Sequence, residues 1–382
     1  MRIDIVMSDA VTTKSAPLAN FTPEVLPSQL DNYSLALALA KPLVRGASRR
    51  EEKPLPQQKP LRMRMIHLEK CGEIEDRSLS KRYLIQSLLS RGGFGITFLA
   101  QNIYLPGHPP CVIKQFAPRC TDPELIEIAR KQFELEALSL SRLGSHAQIP
   151  ALLDYFSVGT NCYLVEEHIP GIVLSQLVTA DRQFTEVEVE KFLIQMLSGL
   201  EYIHSHHLIH RDIKPQNIIL CQTDLRFVLV DFGAVKDLSP ATTGTQSEDS
   251  RAIGTPGFAP PEQLANRPVY ASDIYALGMT CIYLLTGKEL DEIPTDPRTC
   301  ELLWTEDVEI SVDLIEIIDK MIQIPLVDRY QSATQVLTAL ENRSIRAKLR
   351  AYLDQKHAVA KSENSGSLGY YPAVVNWALG IA

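Results

Sequence analysis

Through residues 1 to about 78 the chain shows no sustained hydrophobic period, and Pro17, Pro23, Pro27, Pro42, Pro54, Pro56 and Pro60 interrupt it repeatedly, which predicts a mostly disordered leader. The pattern changes at about Lys81. The segments KRYLIQSLLSRGGFGITFLAQ and CVIKQFA are apolar, β-branched and split by Gly and Pro turns, so they predict a small antiparallel sheet. TDPEL then supplies a helix start, with Thr121 or Asp122 as cap, Pro123 in the first turn and Glu124 spaced to complete a capping box with Thr121. The helix is expected to run to about Leu143, before Gly144. Leu125, Ala129, Phe133, Leu140 and Leu143 recur at spacings of three, four or seven and mark its apolar stripe. Glu136 falls on that stripe, where a carboxylate is costly unless a positive group meets it. Glu134 lies off it and is expected in solvent.

Two more apolar segments, ALLDYF and CYLVEEHI, predict further strands, and beyond Gly171 the pattern turns mainly helical. EVEVEKFLIQMLSGLEYIHSHH and SDIYALGMTCIYLLTG are long and apolar enough to be core helices of a larger second lobe. No internal repeat is evident.

Length and charge narrow the picture. A chain of 382 residues, 45% of them hydrophobic, exceeds the usual size of one compact domain and implies one large two-lobed domain with tails, or two domains. A net charge of -8 and a pI near 5.7 argue against binding nucleic acid through bulk positive charge. One stretch differs: Lys41, Arg45, Arg49, Arg50, Lys53, Lys59, Arg62 and Arg64 face only Glu51 and Glu52, a local balance of +6 that reads as a solvated linker. The seven cysteines contain no C-x-x-C pair, which fits reduced thiols in a cytoplasm. LALALA near the start is far shorter than the ~20 residues of a membrane helix, and Pro372 and Asn376 interrupt the apolar C-terminal stretch, so no transmembrane span is expected.

Candidate chemistry begins with LLSRGGFG, ending at Gly95. Its glycines let a backbone approach a ligand closely, but a glycine-rich turn between strands also occurs with no ligand, so the fragment alone decides nothing. The informative stretch is HRDIKPQNIIL, His210 to Leu220, with DFG following at Asp231 to Gly233. With CVIK these place a lysine, two aspartates and an asparagine in the order of a phosphoryl-transfer site. Transfer of a γ-phosphate leaves charge to be neutralised and a hydroxyl to be aimed, so it needs cations, metal-binding oxygens and a proton acceptor.

On these motifs the chain resembles a eukaryotic-type serine/threonine protein kinase from about Lys81 to Asn342, and IGTPGFAPPEQ and CVIKQF are most similar to cyanobacterial members. Many of those carry a cysteine-rich ribbon before the kinase domain, whereas this leader has Cys71 alone. The resemblance implies an α+β, two-lobed fold: a small antiparallel sheet with one helix at about 81–167 and a larger helical lobe at about 170–342. A leader, 1–78, would precede it and a tail, 345–382, would follow. It implies ATP and Mg2+ as cofactors and proteins as substrates. Lys114 would meet the α- and β-phosphates with Glu136 as its partner, Asn217 and Asp231 would hold magnesium, and Asp212 would face the substrate hydroxyl with Lys214 beside it. Gly92 and Gly95 match the second and third glycines of G-x-G-x-x-G, Ser90 stands at the first, and Phe94 would cap the phosphates. Thr97 and Val112 would line one side of adenine and Ile219 the other, with the hinge at Glu167 to Ile169. Glu166 stands where kinases often place an apolar gatekeeper and makes the back of the pocket polar. His210 and Phe232 are expected to pack, Asp273 to brace the catalytic loop, and Glu262 to pair with Arg329.

An active kinase phosphorylating serine or threonine, its own activation segment included, is the reading favoured here over a pseudokinase scaffold and a small-molecule kinase. All the residues needed for the chemistry are present, and GTPGFAPPEQ resembles a peptide-docking segment. Arg211, directly before Asp212, is expected either to receive a phosphate from Thr242, Thr243, Thr245, Ser247 or Ser250, or to hydrogen-bond nearby backbone. Thr255 is expected to contact the catalytic loop.

Overall fold

The computed structural model describes residues 82–158, 161–178, 182–239, 254–299, 301–306 and 308–363. The leader, the five candidate phosphate acceptors between Thr242 and Ser250 and the end of the chain lie outside them. The two regimes of the sequence pattern become two lobes. In the first, β1 (Tyr83–Arg91), β2 (Gly95–Asn102), β3 (Pro110–Phe116), β4 (Leu152–Val158) and β5 (Asn161–Glu167) form an antiparallel sheet in the order β1-β2-β3-β5-β4. Alternate strand residues turn to one face, where Tyr83, Ala100, Cys111, Ile113, Tyr163 and Val165 close into a core.

The helix α1 (Pro123–Leu143) starts and stops where its capping residues predict. Asp122 is the cap, accepting a hydrogen bond from the Glu124 amide at 3.0 Å, with Pro123 directly after it. Gly144, at φ +61°, ends it. Of the two expected caps, Asp122 is therefore the one used, its carboxylate bonding the second amide of the helix.

The second lobe is built on α2 (Glu186–Ser205) and α4 (Tyr270–Thr286), with the short α3 (Pro261–Leu264) between them. Thr185 and Glu188 form a reciprocal capping box at the start of α2. From Ala271 to Thr286 every residue of α4 is buried, as expected of a helix apolar all round, and Gly287 stops it at φ +66° in the left-handed region. Two small sheets hold the functional loops: β6 (Gly171–Val173), β8 (Ile218–Cys221) and β9 (Phe227–Leu229) in one, β7 (Leu208–Ile209) with β10 (Lys236–Asp237) in the other. The lobe is closed by α5 (Val312–Met321) and α6 (Ala333–Glu363).

The last helix runs on past the limit expected near 342 and is continuous to Glu363. Its first part is tied to the lobe by Arg343, whose guanidinium reaches back to Glu190 at 2.6 Å and to Glu186, both on α2. No helix among the described residues is long and apolar enough to cross a membrane.

Glu262 on α3 and Arg329 pair as expected. The arginine side chain is fully buried; it donates to Glu262 at 2.7 Å and to the carbonyls of Gln323, Ala271 and Ile324 at 2.7, 3.1 and 3.2 Å. Arg329→Met removes all four partners at once and leaves a carboxylate without its counter-charge. It should lower unfolding free energy by about 3–5 kcal/mol, measured by urea denaturation. A loss under about 1 kcal/mol would show the pair to be incidental.

Candidate active site

Lys114 is the centre of the first cluster. On β3 it shares a face with Val112, and the antiparallel register sets Thr97 of β2 and Leu164 of β5 opposite Lys114, with Glu166 opposite Val112. The ammonium is met from three directions: by Glu136 Oε1 of α1 at 2.6 Å, Asp231 Oδ1 at 3.3 Å and Glu166 Oε1 at 3.5 Å. The positive group that the stripe position of Glu136 requires is thus Lys114. Glu134 is half exposed and pairs only with Arg130 on its own helix. Burial alone would lower the lysine's pKa, but Glu136, Glu166 and Asp231 together raise it well above its ordinary value. Burial pushes both Glu136 and Glu166 upward, the ammonium offsetting part of this. Asp231 moves the other way, its carboxyl held low by Lys114. A side chain at Gly233 would place a Cβ 3.2 Å from Asp231 Oδ1 and 3.3 Å from Glu136 Oε2, so the DFG glycine keeps the carboxylates close.

The second cluster surrounds Asp212. Lys214 Nζ and Asn217 Nδ2 each lie 2.8 Å from its Oδ2, and the Thr255 hydroxyl donates to its Oδ1 at 2.7 Å. Lys214 also donates to Thr255 Oγ1 at 2.8 Å. The backbone of this loop is held from below by Asp273, fully buried near the start of α4. Its Oδ2 accepts from the amide of His210 and its Oδ1 from that of Arg211, each at 2.9 Å, and His204 Nε2 lies 2.9 Å from Oδ2. Burial would raise this carboxyl, yet the histidines and amides bring it below its usual value. Those bonds hold Arg211 at φ +66°, a conformation that costs a non-glycine residue about 1–3 kcal/mol. His210 and Phe232 pack edge to face at 4.8 Å, as expected of aligning residues. The Arg211 guanidinium donates to the carbonyls of Ala234 and, at 3.1 Å, Val235, while the five candidate phosphate acceptors lie outside the described residues.

In the glycine-rich turn the Gly92 amide donates to the Gly95 carbonyl at 2.9 Å. The turn is also tied to the end of β3, the amides of Ala117 and Arg119 donating to the carbonyls of Phe94 and Gly93 at 2.9 and 3.0 Å. Ser90 pairs with Thr97 as an ordinary exposed strand residue, next to a register shift in β1. Phe94 is exposed at the tip. After β5 the hinge expected at Glu167 to Ile169 is fixed by the Glu167 amide on the Ala151 carbonyl at 2.9 Å. Ile169 packs with Cys221 and Val228, and Ile219 lies against that cluster.

Residues 83–339 match the family model for the protein kinase domain. The chain belongs to this family. Among curated relatives, serine/threonine-protein kinase B of Synechocystis sp. is 50% identical over 268 residues, covering 69% of this chain and 47% of that protein. Serine/threonine-protein kinase C of the same organism is 43% identical over 271 residues, 69% of this chain and 50% of the relative. Serine/threonine-protein kinase PknA of Nostoc sp. is 42% identical over 267 residues, 69% and 47%. The chain spans about half the length of these relatives.

Two contributors to this kinase domain were not singled out from the sequence. His204 reaches Asp273 from α2, and the buried Gln263 donates to the Arg211 carbonyl at 2.7 Å. Glu166 was expected only to make the pocket polar, and it meets Lys114 itself. For magnesium, the described residues hold no group of three or more His, Cys, Asp or Glu suited to a metal. What they offer is Asp231, about half exposed, and Asn217, whose amide nitrogen is turned to Asp212 so that its oxygen is the end left for a cation. Two hard oxygen ligands, completed by phosphate and water, suit this ion.

The glycines of the turn differ in what surrounds them. A Cβ on Gly92 would meet nothing closer than 3.9 Å, whereas one on Gly95 would sit 3.1 Å from the Gln115 carbonyl of β3. Gly95→Ala should cost about 1–3 kcal/mol of stability through overpacking. Gly92→Ala should stay within about 0.5 kcal/mol. Thermal unfolding of both variants without nucleotide checks this, and the reverse order would refute it.

Proposed function

We propose that this chain is an ATP- and magnesium-dependent kinase that phosphorylates serine and threonine hydroxyls of proteins. The observation that carries the reading is the hydroxyl of Thr255, which donates to Asp212 and accepts from Lys214. An acceptor serine or threonine needs the same two contacts. Asp212 takes the hydroxyl proton as the oxygen attacks the γ-phosphorus, the bond from that phosphorus to the β-γ bridging oxygen breaks, and ADP leaves. Lys214 steadies the transferring group, and Lys114, held by Glu136, orients the α- and β-phosphates. Asn217 and Asp231 would hold magnesium, which when bound neutralises phosphate charge. Ser90, Gly92, Phe94 and Gly95 would cover the phosphates, while Thr97, Val112, Ile219 and the segment from Glu167 to Ile169 would receive adenine. The names of the Synechocystis and Nostoc relatives support the serine/threonine class. A cytoplasmic location is part of the reading and rests on the unpaired thiols of Cys111, Cys120, Cys162, Cys221 and Cys281.

Asp212→Asn removes the proton acceptor and leaves the nucleotide contacts. Transfer of labelled phosphate to a generic basic protein should fall by about 10²–10⁴-fold while ATP binding by calorimetry is nearly unchanged. Transfer at the wild-type rate would reject the assignment of the acceptor.

The proposal extends to self-phosphorylation between Thr242 and Ser250. Mass spectrometry of protein incubated with ATP should find phosphate there, and alanine at Thr242, Thr243, Thr245, Ser247 and Ser250 together should abolish that signal and lower activity. Full activity in the fivefold variant would remove this control and leave the kinase reading standing.

A further inference from the structure

Glu166 occupies a position that a structural argument alone does not explain. It lies in β5, which is hydrogen-bonded on both sides by β3 and β4, and it is 5% exposed. An unpaired carboxylate is among the least favourable groups to bury in a sheet, and an apolar residue would fill the place at no such cost. Its oxygen lies 3.5 Å from Lys114, an ammonium already bonded by Glu136 at 2.6 Å. The two glutamates approach from different elements. Glu136 comes from α1, a helix whose far side faces solvent at Glu134 and Leu138, and Glu166 from the middle of the sheet that carries the lysine. A displacement of α1 away from the sheet would lengthen the first contact and leave the second, made within the sheet, in place.

We propose that Glu166 is a positioning residue that holds the Lys114 ammonium from the sheet while Glu136 holds it from the helix, so that the lysine stays ready for nucleotide phosphates with either partner alone. This rests on the phosphoryl-transfer reading above and deepens it. A surplus carboxylate beside one ammonium opposes folding, so its stability effect and its functional effect should have opposite signs.

The test is a double-mutant cycle on the full chain with Glu166→Gln, Glu136→Gln and both together, reading KM for magnesium-ATP, kcat, ATP Kd by calorimetry and Tm. Glu166→Gln should raise KM and Kd by about threefold to tenfold with kcat within about twofold and Tm unchanged or higher. Glu136→Gln should lose more. The double variant should bind at least about tenfold more weakly than the product of the single effects, since the ammonium has then lost both glutamates and keeps only Asp231, half exposed on the loop after β9. Glu166→Asp, which keeps the charge, should recover part of the loss. Single effects that simply multiply, an unchanged Kd in Glu166→Gln, or Tm and binding falling together with no recovery in Glu166→Asp would each overturn the proposal. Absence of transfer by the wild-type chain would instead overturn the kinase reading, and the cycle in Kd would still decide the role of Glu166.

Discussion

Three carboxylates from three separate elements converge on one ammonium, and the arrangement of the nucleotide side of this molecule follows from that convergence. The lysine fixes where β3 stands relative to α1, because a buried carboxylate on a helix stripe has to be met by charge wherever the helix docks. It also reaches Asp231, so the small lobe and the loop following β9 share one charge. Lys114 is the only one of the four groups that is positive. Under the proposed kinase reading, a phosphate beside it would meet both a cation and acidic neighbours that repel it, a repulsion that a bound metal ion would offset.

The larger lobe solves a similar problem in the opposite way. Asp273 is more deeply buried than any of the carboxylates on Lys114, yet its pKa is lowered while those of Glu136 and Glu166 are raised. The difference is in the donors. Two backbone amides and His204 are directed at the two oxygens of Asp273, and such bonds form whenever the loop has its native path. What Asp273 stabilises is therefore a backbone conformation, including the positive φ of Arg211 that turns Asp212 toward Lys214, Asn217 and Thr255.

The parts of this structure that were legible in the sequence are those governed by local rules. The strand segments, the limits of α1 and the inward phase of Glu136 follow from alternation, capping and a helical period, and the structure has them at those residues. The serial order of Lys114, Asp212, Asn217 and Asp231 was legible as chemistry because the motifs that carry it are contiguous. Contacts that depend on register between distant segments were not. Nothing near Glu166 says that β5 will pair beside β3 and set it diagonal to Lys114, and nothing near His204 says that α2 will end against α4. The attachment of the first part of α6 is of the same kind, since Arg343 ties it to two glutamates more than a hundred residues earlier.

The glycine-rich turn shows that residues of one motif can answer to different local constraints. A row of glycines suggests that each is needed for the approach of a ligand. In the folded chain they answer to different neighbours: a Cβ on Gly95 would sit 3.1 Å from the carbonyl of Gln115 on the adjoining strand, and one on Gly92 an ordinary 3.9 Å from the Gly95 carbonyl. The first is a requirement of the sheet and holds with or without a nucleotide. The second has no such requirement among the described residues, so any constraint on Gly92 has to come from what binds beneath the turn. Ser90 belongs with Gly92 in this respect, as an exposed residue in an ordinary strand pairing, and its departure from glycine costs the fold nothing that the structure displays.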